Sequence, residues 1–234
     1  MRLHRFITDI AWSNDLRIVV DEPRVVHQVL RVLRLTPGEQ LLIVSKEGQE
    51  VRGTVSDDSS KSVLAIDVIE RLTPRISTHS NVHLYCAILK KENFDWVVQK
   101  TTELGVATIT PLITDRTIKQ GLSLERMQTI ALEAAEQSGR VSVPLIGQPI
   151  TLSRALDESV GLKCWADIGD HAVSVGQIKK TADYSLFIGA EGGWSPEEQA
   201  LASSILDCAV VSLGGLTLRA ETAAVVGVYA LVNR

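Results

Sequence analysis

Apolar and polar positions follow two different rhythms along the chain. Up to about residue 75 the apolar runs are short and broken by turns. RLHRFI and LRIVVD read as strands. EPRVVHQVLRVLRLTPGEQ reads as one helix, with Pro23 in its first turn and Pro37-Gly38 closing it. QLLIVSKEGQEVRGTVSDD predicts a hairpin around Glu47-Gly48, and SVLAIDVIERL a further strand. Many short strands with one short helix predict a small β-barrel.

The second stretch alternates strand and helix. VHLYCAIL, ATITPLIT, LKCWADI, YSLFIGA and CAVVSLG are strand-like runs. NFDWVVQKTTELG reads as a helix ending at Gly105. SLERMQTIALEAAEQSG reads as a second, capped by Ser123 and stopped at Gly139. ETAAVVGVYALVN is an apolar final helix. This alternation predicts an α/β domain with a largely parallel sheet. The polar segment TPRISTHSN (Thr73–Asn81) marks the boundary, placing one domain over 1–73 and the other over 74–234.

Composition changes this picture little. The 234 residues are 45% hydrophobic and 22% charged, which is ordinary for globular chains. No apolar run approaches the ~20 residues of a membrane helix, and MRLHRFITDI lacks the apolar core of a signal peptide. Cys86, Cys164 and Cys208 are widely separated, which suits a reducing compartment. These features predict a cytoplasmic protein with no membrane association. The five histidines show no ligand spacing, so no metal site is expected. Net charge is −4, carried by residues 76–234, with 13 basic against 17 acidic side chains; residues 1–75 balance at 11 and 11. Any nucleic-acid binding therefore needs a local basic surface.

Four constellations carry candidate chemistry. IGAEGGWSPEEQ (Ile188–Gln199) joins a strand to a helix with Ser195 as N-cap, Pro196 at the first position and Glu198 completing a capping box. Glycines permit a ligand to approach the backbone. Glu191, Glu197 and Glu198 disfavour phosphate, and the spacing fits neither a P-loop nor a dinucleotide fingerprint. A ligand with an adenine, a ribose and a positive centre fits better; a tight turn needing glycine would explain the loop equally well. The second constellation, VSLGGLTLRAETAAVVGVYAL, crowds Gly214, Gly215, Arg219, Glu221 and Thr222 into the end of a strand and the start of a helix. Ligands of open α/β sheets bind at the carboxyl ends of strands, so two such loops reinforce each other. Arg219 and Glu221 also fit an exposed ion pair.

The third constellation is Arg24, His27, Arg31 and Arg34, spaced 3, 4 and 3 apart. On one helix they form a basic stripe fit to track phosphates, with Arg2 and Arg5 as extensions. An ordinary solvated face has the same spacing. In the fourth, Lys90 and Lys91 leave a strand end, where they could meet RNA phosphates, and Asn93 is a candidate cap for the following helix.

LRVLRLTPGEQL, DWVVQKTTELGVATITPLIT, LEAAEQSGR, IGAEGGWSPEEQ and SLGGLTLRAETAA together resemble the bacterial 16S rRNA uracil-N3 methyltransferases, of the SPOUT class of S-adenosylmethionine-dependent enzymes. The resemblance spans nearly the whole chain. It implies a small N-terminal PUA-like β-barrel that binds RNA, followed by a SPOUT α/β domain with a C-terminal trefoil knot. It also implies a homodimer acting on one uridine of 16S rRNA, within the small ribosomal subunit. Carried over by motif, Gly189, Glu191, Gly192 and Gly193 would hold the cofactor, with Leu213, Gly214, Leu218, Arg219 and Thr222. A sulfonium ligand would explain a carboxylate at position 191. Arg219 becomes the candidate cation that stabilises the uracil imide anion, and Glu221 the candidate base or orienter of Arg219. The sequence departs from the family at Ala190 and Trp194, and at Gly215, Leu216 and Ala220, which replace a proline, an arginine and a threonine. Two other activities fit the same residues: methylation of another RNA position such as a ribose 2′-hydroxyl, or a non-catalytic role in ribosome assembly.

Overall fold

In this computed structural model, residues 3–12, 16–45, 47–73, 80–117, 121–168 and 172–234 are described. The chain forms two compact units, residues 1–77 with 135–142, and residues 78–134 with 143–234.

In the first unit the strands are β1 (Arg5–Ile7), β2 (Arg17–Val20), β3 (Gln40–Val44), β4 (Glu50–Val55) and β5 (Leu64–Leu72). They form a curled sheet in the order β1-β3-β4-β5-β2. β1 runs parallel to β3, and the other pairings are antiparallel. The predicted hairpin is the β3–β4 pair. The register shifts between Arg52 and Gly53, where β5 carries one extra residue, Ile69, opposite β4. Alternating positions place Ile18, Val20, Leu41, Ile43, Val51 and Ile66 in one core.

The helix expected over Pro23–Leu35 is shorter and irregular. Pro23 opens helix α1 (Pro23–His27), which widens into a π-helical segment over Gln28–Val32. There the Leu33 N–H donates to the Gln28 carbonyl at 2.9 Å, five residues back. Arg34 then adopts φ 57°, in the left-handed region, and ends the helix. Val25, Val26 and Val29 are buried; His27, Arg31 and Arg34 are exposed.

The second unit is built on a parallel sheet. Its elements in chain order are β6 (Asn81–Ala87), α2 (Lys91–Glu103), β7 (Thr108–Ile113), α3 (Leu124–Ser138), β8 (Leu145–Ile146), β9 (Ile150–Thr151) and α4 (Leu152–Glu158). They continue with β10 (Leu162–Ala166), β11 (Val173–Ser174), β12 (Asp183–Ile188), α5 (Pro196–Ser203), β13 (Cys208–Ser212) and α6 (Ala220–Val232). The strand order is β11-β13-β10-β12-β6-β7-β8, with β9 beside β7. Central strands β6 and β12 are buried on both faces, which is why VHLYCAIL and YSLFIGA read as continuous apolar runs. One face packs Phe94 and Val97 of α2, Met127 and Ala131 of α3, and Ala224 and Val228 of α6. The other packs Tyr85, Trp165, Phe187 and Trp194 against Leu152, Ala155 and Leu156 of α4. Helix α6 lies close to the sheet because of Gly227, where an added Cβ would meet Leu186 Cδ2 at 2.7 Å. The short elements α4, β8, β9 and β11 carried too little periodicity to be predicted.

Candidate active site

Four strands of the second unit, β6, β10, β12 and β13, end together, and beyond their carboxyl ends lies a cavity of about 690 Å³. This is the position physical rules assign to ligands of parallel α/β sheets, and the volume suits a cofactor. Segments 166–168, 188–194, 211–214 and 216–221 line it, with Lys90, Asn93 and Ala223.

The loop after β12 is held from below. The Gly193 N–H donates to the Ala190 carbonyl at 2.8 Å, closing a turn in which Gly193 takes φ 72°. Arg116, in the loop after β7, donates to the Gly192 carbonyl. The predicted capping box is formed: Ser195 Oγ accepts from the Glu198 N–H at 3.2 Å, and Glu198 Oε2 accepts from the Ser195 N–H at 2.8 Å. Glu198 also accepts from the Asp115 N–H at 2.9 Å, and Ser195 Oγ donates to Asp115 Oδ2 at 2.6 Å. The carboxylate of Glu198, buried to 6% exposure, therefore ties the start of α5 to the end of β7. Trp194 stacks on Trp165 with ring centroids 3.8 Å apart, and its Nε1–H donates to the Ala166 carbonyl at 3.0 Å. That contact joins the loops after β10 and β12. An added Cβ at Gly189 would lie 3.1 Å from the Trp194 ring.

The second loop is more open. Ser212 Oγ donates to the Gly214 carbonyl at 2.9 Å, and Gly214 holds φ 147°. Leu216 is 80% exposed. Arg219 is the N-cap of α6 without a side-chain capping bond, and Glu221 lies in the first turn. The exposed ion pair between them is not formed among the described residues. Instead Glu221 Oε2 is enclosed with no hydrogen-bond partner among the described residues. Glu191 Oε1 accepts from the Lys90 N–H at 3.3 Å. Burial pushes the Cys86 thiol, at the end of β6, well above its ordinary range, and Glu191 and Glu221 add to the shift.

The structure thus brings together Gly189, Glu191, Gly192, Gly193, Leu213, Gly214, Leu218, Arg219 and Glu221. Thr222 follows Glu221 on α6 and stands outside the cavity lining, which passes from Glu221 to Ala223. Asn93 lies inside α2, whose N-cap is Lys90. Lys90 stands at the cavity. The side chain of Lys91 and all of Arg2 lie outside the described residues. The basic stripe is only partly available. Arg5 pairs with Glu50 at 2.5 Å, the two side chains being 14% and 7% exposed. Arg24 pairs with Glu136 at 3.0 Å and donates to the Ile7 carbonyl at 2.6 Å. Arg5 also donates to the Arg140 carbonyl at 3.5 Å, so both arginines hold residues 135–142 within the first unit. His27, Arg31 and Arg34 remain exposed, though the π-helical turn and the left-handed Arg34 break their common α-helical phase.

Sequence reasoning missed Asp167 and Ile168, Arg116, and the anchoring role of Trp194. The signal for the first two was present: in LKCWADI a parallel strand is followed at once by Asp167 and Ile168, on the end of the sheet from which the two glycine-bearing loops also leave. Arg116 carried none, since it reaches the site only through the fold.

An enclosed carboxylate oxygen without a donor asks for a ligand that brings hydroxyl or amino hydrogens, or positive charge. An adenosine-bearing sulfonium meets both halves of this condition, whereas a phosphate-rich ligand would add negative charge beside Glu191 and Glu221. The comparisons agree. Residues 77–232 match the family model described as RNA methyltransferase domain. A ribosomal RNA small subunit methyltransferase E of Rickettsia conorii is 28% identical, across 97% of this chain and 94% of its own length. A Legionella pneumophila protein solved in complex with bound S-adenosylmethionine superposes with a TM-score of 0.88 at 30% identity, covering 99% and 97% of the two chains. The ribosomal RNA small subunit methyltransferase E of Neisseria gonorrhoeae, solved bound to S-adenosylmethionine, gives 0.88 at 29% identity, covering 98% and 96%.

Proposed function

We propose, for a chain that belongs to the RNA methyltransferase family of the ribosomal RNA small-subunit methyltransferases E, that it methylates uracil N3 at one uridine of 16S rRNA. The enzyme is S-adenosylmethionine-dependent. The observation that carries the reading is the enclosed Glu221 oxygen, without a hydrogen-bond partner among the described residues, in a glycine-lined cavity at the ends of β10, β12 and β13.

S-adenosylmethionine supplies an electrophilic methyl group on a sulfonium. The chain's own residues do the rest. The backbone of 189–193 and 213–218 forms the cradle, and Trp194 and Arg116 fix its shape. Uracil N3 carries a proton, so it must lose that proton to attack. Glu221 is the candidate acceptor or the orienter of Arg219. Arg219, exposed in the cavity lining and free of an ion pair among the described residues, is the candidate to stabilise the charge that spreads onto O2 and O4. Positioning carries much of the remaining rate.

The finer architecture is part of the same proposal. The first unit acts as a PUA-like RNA-binding barrel, with His27, Arg31 and Arg34 as its exposed basic residues. In the second, α6 returns from edge-side β13 to pack on β6, β12 and α2, which supports a C-terminal trefoil knot. The enzyme works as a cytoplasmic homodimer on the small ribosomal subunit. The test uses labelled S-adenosylmethionine and small subunits lacking uracil-N3 methylation, followed by nucleoside identification. N3-methyluridine at one site is the expected product. A ribose-methylated nucleoside would keep the cofactor and overturn the target; no label despite cofactor binding would favour a non-catalytic assembly role.

A further inference from the structure

We propose that Glu221 reads the charge of the bound cofactor, so that the enzyme holds the cationic methyl donor more tightly than its neutral product. The inference rests on reading the cavity as an S-adenosylmethionine site. Five charged residues line that cavity: Lys90, Asp167, Glu191, Arg219 and Glu221. Asp167 is already engaged, accepting from the Ile168 N–H at 2.8 Å and from Gln199 Nε2 at 2.9 Å. Glu191 accepts from the Lys90 N–H and is exposed. The two cations are exposed as well. Glu221 alone among the five has an enclosed side-chain oxygen without a hydrogen-bond partner among the described residues. An exposed charge is screened by water and salt, whereas an enclosed one acts at low effective dielectric. Glu221, half-buried, therefore presents to the cavity a negative charge that no hydrogen bond offsets at that oxygen among the described residues. The buried Cys86 thiol beneath the site senses Glu191 and Glu221 together, so both carboxylates act on the same end of the sheet.

Methyl transfer changes what Glu221 faces. The S–CH₃ bonding pair stays on sulfur as the new N3–CH₃ bond forms, and the positive charge departs as the N3 proton. The donor is a sulfonium and the product a neutral thioether, with the rest of the molecule unchanged. A carboxylate that favours the first over the second strengthens donor binding and weakens product binding with one group, which hastens product release.

Binding measurements without RNA test this. Calorimetry would compare S-adenosylmethionine, S-adenosylhomocysteine and sinefungin, in which a protonated amine replaces the methylsulfonium. Wild-type protein should bind both cations at least about tenfold more tightly than the thioether, with little dependence on salt. Glu221→Gln should erase most of that preference while leaving S-adenosylhomocysteine affinity nearly unchanged. Glu191→Gln, on an exposed loop, should reduce the preference only modestly and mainly at low salt. Wild-type protein that binds the thioether as tightly as the two cations would overturn the inference without any variant. So would a folded Glu221→Gln protein that weakens all three ligands equally. Failure of the wild-type protein to bind any of the three would instead overturn the cofactor assignment itself.

Discussion

Replacing Gly189 by alanine tests how rigidly the cofactor loop is held. Its φ is not in the left-handed region, so alanine is not excluded by backbone conformation. The obstacle is space. The new Cβ would lie 3.1 Å from Trp194 Cδ2 and Cε2 and 3.3 Å from Nε1. Relief requires the indole to retreat by a few tenths of an ångström. Trp194 is 5% exposed, stacked on Trp165 at 3.8 Å, and tethered through Nε1–H to the Ala166 carbonyl at 3.0 Å. Overpacking at so constrained a place costs about 1–3 kcal/mol. Losing glycine's freedom in the unfolded chain returns about 0.4–1 kcal/mol. The net destabilisation is then on the order of 1–2 kcal/mol, a fall in Tm of roughly 2–8 °C for a chain of this size. Because the indole also tethers the loop after β10, cofactor affinity should fall with it. Thermal melting and calorimetry with S-adenosylmethionine measure the two effects. In a Trp194→Phe background the penalty should shrink, since the smaller phenylalanine ring lacks the fused indole system whose Cδ2, Cε2 and Nε1 crowd the methyl. A Gly189→Ala protein that melts and binds as wild type would refute the reasoning and mean that the Trp194 stack yields freely.

Four further outcomes follow from the geometry. Arg219→Ala should lower single-turnover methylation on the order of 10²-fold while changing S-adenosylmethionine affinity little; an unchanged rate would remove Arg219 from the chemistry. Arg31→Gln with Arg34→Asn, the asparagine chosen because it tolerates the left-handed backbone at φ 57°, should weaken rRNA binding and flatten its salt slope by about 0.7–0.9 per lost phosphate contact, with Tm nearly constant. Arg5→Ala should instead leave Glu50 buried and unpaired and destabilise the fold by about 3–5 kcal/mol in denaturant melts. Burial pushes the Cys164 thiol up to about 12, above the unfolded value of about 8.5. Its contribution to stability is therefore complete below about pH 8.5 and is lost as pH rises toward the folded value, because the unfolded chain releases the proton first. Wild-type stability should fall more steeply between about pH 9 and 11 than that of Cys164→Ala, by up to about 1.4 kcal/mol per pH unit, in chemical denaturation followed across that range; parallel curves would contradict the assignment.

Local grammar made a good part of this protein legible from its sequence. Ser195, Pro196 and Glu198 specify the start of α5 because a capping box depends only on residues within one turn. Gly105 and Gly139, at φ 99° and 88°, stop their helices for the same local reason. The two glycine-bearing loops were visible as ligand loops because parallel strands point their carboxyl ends one way. What the sequence could not decide depends on groups far apart in the chain. Arg5 and Arg24 read as phosphate contacts, yet Glu50 and Glu136 claim them once the first unit assembles. Arg116 reaches Gly192 from another strand's loop, 76 positions away. Glu221 read equally well as half of a surface ion pair. In the folded chain its Oε2 is enclosed and has no hydrogen-bond partner among the described residues. Caps and turns are set by neighbours along the chain, whereas burial and charge pairing are set by neighbours in space, and the chemistry of this site rests on the second.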